Sequence, residues 1–125
     1  MVLVDTSVWI DYLKAGGVRG FTEILLQDEV ALSFWVRLEL LSGTRQRKER
    51  VSLERSLRGV QPLPREVSKD EILGFFTDHS LGGLGLSAID ITLLAEAFHN
   101  RLPLWTADKA LGQAARALGM AYDRP

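Results

Sequence analysis

The chain has 125 residues, 46% of them apolar and 25% charged, enough for one domain over residues 1–125 with a core that needs no covalent staples. It contains no cysteine, which excludes disulfides, thiolate metal sites and cysteine nucleophiles. No apolar run approaches the roughly 18 residues of a membrane span, and no basic stretch leads into an apolar one as in a secretory signal, so a cytoplasmic protein without membrane contact is expected.

Val2-Leu3-Val4 is short, apolar and rich in β-branched residues, and predicts a buried strand that stops at Asp5. Asp5, Thr6 and Ser7 are candidate N-caps for a helix over 7–14. Gly16-Gly17 breaks it, and a second helix runs to about Asp28. Val30-Ala31-Leu32 reads as a second strand, and Ser33 caps a helix through Leu41 with Gly43 near its end. Residues 45–58 predict a basic amphipathic helix with Val51, Leu53 and Leu57 as the buried stripe. The prolines of Val60–Pro64 confine that segment to a turn or an edge strand. A helix follows over 66–79, then a Gly-rich loop over 81–86 without the Lys-Ser/Thr ending of a phosphate-binding loop. Ser87 opens a periodic helix with Ile91, Leu94, Ala95 and Phe98 on one face. Leu102–Trp105 is a short strand, Thr106-Ala107-Asp108 opens a helix ending at Gly119, and Met120-Ala121-Tyr122 predicts an edge strand. Apolar strands alternating with helices define an α/β fold, a doubly wound parallel sheet flanked by helices.

In such a sheet ligands bind outside the carboxyl ends of the strands, where helices begin. Asp5 ends the first strand, Asp90 lies in the first turn of the helix opened by Ser87, and Asp108 lies three residues beyond Trp105. Each also has a structural use, as a cap or as a partner of a helix dipole. Glu39 is less easily explained that way. It sits in the apolar segment Trp35-Val36-Arg37-Leu38-Glu39-Leu40-Leu41 and shares a face with Trp35 and Val36, so its charge is partly desolvated unless it meets a partner.

Carboxylates that converge without cysteine or histidine repel one another, and a hard divalent cation relieves that repulsion. Mg2+ or Mn2+ in such a site polarises a phosphoryl oxygen and acidifies a bound water. By this charge argument alone, neutralising Asp5 should preserve or raise metal-free stability. The net charge is −1, yet residues 37–65 carry eight basic and three acidic side chains, a local +5 against −6 elsewhere. A basic block beside an acidic pocket suits a polyanionic substrate, and Arg45, Arg47, Lys48 and Arg50 are the candidates to track its backbone, with a solvent-facing role equally open to them.

The order, spacing and flanking residues of these groups carry a resemblance that covers nearly the whole chain. Val2-Leu3-Val4-Asp5-Thr6-Ser7-Val8-Trp9-Ile10-Asp11, Glu39-Leu40-Leu41-Ser42-Gly43, Asp90 in an apolar helix and Leu102-Pro103-Leu104-Trp105-Thr106-Ala107-Asp108 resemble the PIN-domain ribonucleases, and within them the VapC-type toxins of toxin–antitoxin pairs. The resemblance implies a PIN-like doubly wound sheet and a metal-dependent endoribonuclease that hydrolyses RNA phosphodiester bonds with Mg2+ or Mn2+. It places Asp5, Glu39, Asp90 and Asp108 on the metal-binding and catalytic carboxylates, and Thr6 and Thr106 on hydroxyls that support them. It also implies a homodimer silenced by a cognate VapB-like antitoxin. One departure is visible: Lys109, Ala110 and Leu111 follow Asp108, where many relatives carry a further acid. The alternative reading is a non-catalytic PIN-like module that binds RNA or protein.

Overall fold

The computed structural model describes residues 1–15 and 17–123; the helix break expected at Gly16 lies outside these residues. Among them the order is β1 (Val2–Val4), α1 (Thr6–Ala15), α2 (Phe21–Leu26), β2 (Val30–Leu32), α3 (Phe34–Ser42), α4 (Arg47–Leu57), β3 (Gln61–Pro62), α5 (Lys69–Asp78), α6 (Ala88–Asn100), β4 (Leu104–Trp105) and α7 (Lys109–Ala117).

The strands form one sheet in the order β3-β2-β1-β4, and every pairing is parallel. β1 and β2 are buried at all three positions, as expected for strands covered on both faces. β3 is exposed and lies at the edge, where Pro62, lacking an N–H, breaks no ladder. The expected terminal strand is reduced to a single parallel bridge, Leu104 to Ala121. Leu3, Leu93, Leu94, Leu104 and Leu111 are fully buried against the sheet, each contributing about 1.5–3 kcal/mol of transfer free energy. Phe21 is also fully buried, edge-on to Trp9 at 4.9 Å, and fills the space beneath α1.

Two stripes differ from the sequence expectation. Val51 is 46% exposed, so α4 is anchored by Leu57 and Leu53. In α6 the buried run is Leu93 to Ala97, while Phe98 is 46% exposed; α6 is rotated so that Phe98 meets Phe75 and His79 of the α5 region. α2 ends at Leu26, two residues early, because Asp28 adopts φ 60°. Gly43 closes α3 with φ −78°, an ordinary right-handed conformation.

Strand order reverses at β1, since the chain moves outward through β2 and β3 and returns to β4 on the other side. The crevice between the carboxyl ends of β1 and β4 is therefore the topological switch point. Asp5 follows β1 there, and Thr106 to Asp108 follow β4.

Candidate active site

Asp5 is 6% exposed, and its carboxylate is held by three donors. Oδ1 accepts the Thr6 N–H at 2.7 Å. Oδ2 accepts the Ser7 hydroxyl at 2.8 Å and the Thr106 hydroxyl at 2.6 Å. Of the free N–H groups at the start of α1, the side chain takes only that of Thr6, so most of its bonding capacity goes to the two hydroxyls. Charge-assisted bonds of this kind fix a buried carboxylate firmly.

The network extends in both directions. Thr6 Oγ1 donates to Glu39 Oε1 at 2.6 Å, linking the start of α1 to the middle of α3. Thr106 Oγ1 accepts the Asp108 N–H at 3.0 Å, and Ser7 Oγ accepts the Ala107 N–H at 2.9 Å. Asp108 Oδ2 in turn accepts the Leu111 N–H at 2.8 Å as the N-cap of α7. One string of bonds thus runs from Glu39 through Thr6, Asp5 and Thr106 to the backbone of Asp108. Five of the six acids and hydroxyls nominated from sequence belong to it.

Asp90 does not. Its Oδ2 accepts the Ser87 N–H at 2.9 Å while its own N–H donates to Ser87 Oγ at 3.1 Å, a complete capping box. Among the basic candidates, Arg50 Nε donates to Thr44 Oγ1 at 3.2 Å, and Arg45, Arg47 and Lys48 are exposed.

Ser7, read from sequence only as a possible cap, is as central as Thr106: its hydroxyl serves both Asp5 and the β4–α7 turn. A second buried acid, Glu96, was not foreseen. It is 7% exposed, and Oε1 accepts the Ser33 hydroxyl at 2.7 Å. Burial raises its pKa above the ordinary carboxylate value, opposed by the Ser33 hydrogen bond. The available signal was an acid inside Leu93-Leu94-Ala95-Glu96-Ala97.

The donor set near the crevice is oxygen only, which suits a hard cation. Glu39 Oε2, Asp90 Oδ1 and Asp108 Oδ1 accept no hydrogen bond among the described residues. Among these residues no three acids or histidines come close enough together to hold a metal ion between them, so the four carboxylates expected to converge do not form one cluster. Mg2+ is commonly held by one or two carboxylates and keeps several waters, so the arrangement fits a hydrated ion at an open site. Beside Glu39, a groove of about 280 Å3 is lined by Ile10, Leu13, Leu40, Thr44, Glu49 and Leu53 among others.

A parallel sheet with acids and hydroxyls gathered at its switch point defines the class, and residues 2–117 match the PIN domain family; the chain belongs to that family. Proteins named VapC ribonucleases are among those it is similar to. It is 38% identical over 122 residues to "Ribonuclease VapC32" of Mycobacterium tuberculosis, covering 97% of this chain and 95% of that protein. "Ribonuclease VapC11" of the same organism is 34% identical over 68 residues, half of each chain. The fold is also that of FitAcB from Neisseria gonorrhoeae (TM-score 0.65, 21% identity, 93% of this chain and 94% of that one). VapBC2 from Rickettsia felis, solved with a DNA fragment from its promoter, has the same fold (TM-score 0.65, 16% identity, 86% and 88% covered).

Proposed function

We propose that this protein is a cytoplasmic, divalent-metal-dependent endoribonuclease, the toxin of a toxin–antitoxin pair, which hydrolyses RNA phosphodiester bonds. The observation that carries the reading is the hydrogen-bonded string from Glu39 through Thr6, Asp5 and Thr106 to Asp108 at the β1/β4 switch point. A structural cap would need one acceptor; here Thr6 joins the carboxylates of Glu39 and Asp5, and Thr106 ties Asp5 to the backbone of a third acid, Asp108, a preorganised negative centre.

Asp5 and Asp108 hold the principal ion in this reading, Mg2+ or Mn2+: Asp108 through Oδ1, which takes no donor among the described residues, and Asp5 through the second lone pair of Oδ1, whose one donor is the Thr6 N–H. When bound, the ion supplies Lewis acidity at the scissile phosphate and lowers the pKa of water. Thr6 and Thr106 fix the orientation of Glu39 and Asp5 so that no reorganisation is needed when charge develops. Glu39 Oε2 and Asp90 Oδ1 are the free acceptors able to orient the attacking water or take its proton, and one of the two does so. Of the four basic residues nominated from sequence, Arg47 and Lys48 supply the basic side of the substrate path. The apolar groove beside Glu39, with Ile10 and Leu13 exposed, fits a segment of a cognate VapB-like antitoxin, and a homodimer is the expected assembly.

Cleavage of a labelled RNA should stop in excess chelator and return on adding Mg2+ or Mn2+. Undiminished cleavage after exhaustive chelation, or none with either ion, overturns the reading.

A further inference from the structure

The basic helix α4 is sorted by the fold into three sides. Glu54 is paired with Arg58 at 3.2 Å and Arg37 of α3 at 3.8 Å. Glu49 and Leu53 line the groove that holds Glu39, and Arg50 is turned back onto Thr44. The remaining side carries Arg47, Lys48, Val51, Ser52 and Arg55, which line a shallow cleft of about 510 Å3. All five are exposed. Its three cations have no carboxylate partner among the described residues.

We infer that this stripe, Arg47, Lys48 and Arg55 with the Ser52 hydroxyl between them, is a phosphate-backbone track for single-stranded RNA. The inference rests on the ribonuclease reading for its substrate and departs from the sequence nomination by gaining Arg55 and losing Arg45 and Arg50. Arg47 and Arg55 are eight positions apart, about 12 Å along the helix axis, so the stripe is a line of charge and not a point. The neighbouring side of α4, with Glu49 and Leu53, lines the groove that holds Glu39, so a strand lying on the stripe runs along the helix that faces this acid. The chain outside residues 37–65 carries −6 and repels RNA, so attraction has to come from this block. A protein partner would need buried apolar or aromatic anchors, and the cleft offers only Val51. Phosphate contacts carry no base information; the stripe therefore sets affinity and leaves the cleavage sequence to the crevice.

The test is fluorescence anisotropy of a labelled 12-nucleotide RNA in chelator, where cleavage is silent, across a salt series. Each phosphate contact on a single strand contributes about 0.7 to the slope of log affinity against log salt. The Arg47→Gln/Lys48→Gln/Arg55→Gln protein should lose about 2 from that slope and bind at least about tenfold more weakly at 50 mM salt. Arg19→Gln/Lys69→Gln/Arg116→Gln removes the same net charge elsewhere and should keep the slope. In Mg2+ the stripe variant should show a raised KM with unchanged kcat and cleavage position. Equal behaviour of the two triple variants, or an unaltered slope, overturns the inference; if the stripe variant then loses poly-glutamate binding instead, the stripe belongs to an acidic protein segment. Stripe-dependent binding without cleavage in either Mg2+ or Mn2+ would remove the ribonuclease reading and leave the track standing, whereas cleavage with stripe-independent binding would do the reverse.

Discussion

Thr106 and Asp5 lie 101 positions apart in the chain, and the threonine hydroxyl donates to Asp5 Oδ2 at 2.6 Å. Thr106 Oγ1 also accepts the Asp108 N–H at 3.0 Å, so a single hydroxyl sets both the buried acid after β1 and the turn that presents the acid after β4. Ser7 Oγ lies 3.3 Å from Thr106 Oγ1, and the two hydroxyls converge on the same oxygen, Asp5 Oδ2, across the switch point.

Thr106→Val keeps the shape and removes the hydroxyl. Cleavage and metal affinity should fall about 10–100-fold, the usual effect of losing a group that orients a ligand, and stability by about 1 kcal/mol. Thr106→Ser should restore most of both. Steady-state cleavage, a manganese titration and a chemical melt measure the three quantities; wild-type activity in the valine variant would remove Thr106 from the site.

Asp5→Asn should abolish cleavage and also destabilise the metal-free protein by about 1–3 kcal/mol. Charge counting alone predicts the opposite sign of stability change. The geometry decides against it, because an amide NH2 faces hydrogens of Thr6, Ser7 or Thr106 whichever way it turns. Glu39→Gln is the informative contrast. Glu39 is exposed and accepts one hydroxyl, so its neutralisation should cut activity while stability stays within about 0.5 kcal/mol. Thermal melts with and without Mg2+ compare the two; equal stability losses would refute the asymmetry.

The strands were legible because parallel, doubly covered strands must be short apolar runs, and Val2–Val4 and Val30–Leu32 are such runs. Helix faces were less legible. A period of 3.6 places Leu53 with Leu57 but sets Val51 about 120° round the helix from Leu57, and it places Phe98 with Leu94 without saying how wide the covered side is; α4 buries only its end and α6 gives Phe98 to Phe75. Asp5, Glu39 and Asp108 were nominated by motif, yet what joins them is tertiary. Ser7 stands two residues from Asp5 and was visible only as a cap. Glu96 has its partner Ser33 63 positions away, beyond any local pattern.

Glu71 should mark the acid limb of stability. Arg65 donates to it, and the Ser68 backbone N–H adds a second bond, holding its pKa at about 2 against 4.5. A depressed carboxylate contributes stability above the unfolded value and loses it as pH falls toward the folded one. Glu71→Gln keeps the amide oxygen for the capping box and removes the charge facing Arg65 and His99. The variant should therefore melt below wild type at pH 6, with the gap closing between about pH 4.5 and 2. A gap that persists at pH 2 would assign Glu71 a purely hydrogen-bonding role.

Glu96 should act with the opposite sign. Its pKa is raised by burial, so the folded state binds the proton more tightly than the unfolded chain, and stability falls as pH rises from the ordinary value of 4.5 through the higher folded one. Glu96→Gln retains an oxygen for the Ser33 hydroxyl and has no charge to bury, so it should be more stable than wild type at pH 8 and converge with it near pH 4. Ser33→Ala tests the same pair from the other side. Ser33 also caps α3 through the Trp35 N–H at 3.2 Å, and its loss should cost about 1 kcal/mol from the cap while removing the one donor that Glu96 has among the described residues. The Ser33→Ala penalty should thus grow with pH in the wild-type background and become flat in the Glu96→Gln background. A pH-independent penalty in both would mean that Glu96 is already neutral across the range, and the buried pair would then be an ordinary hydrogen bond between two uncharged groups joining α6 to the helix that carries Glu39.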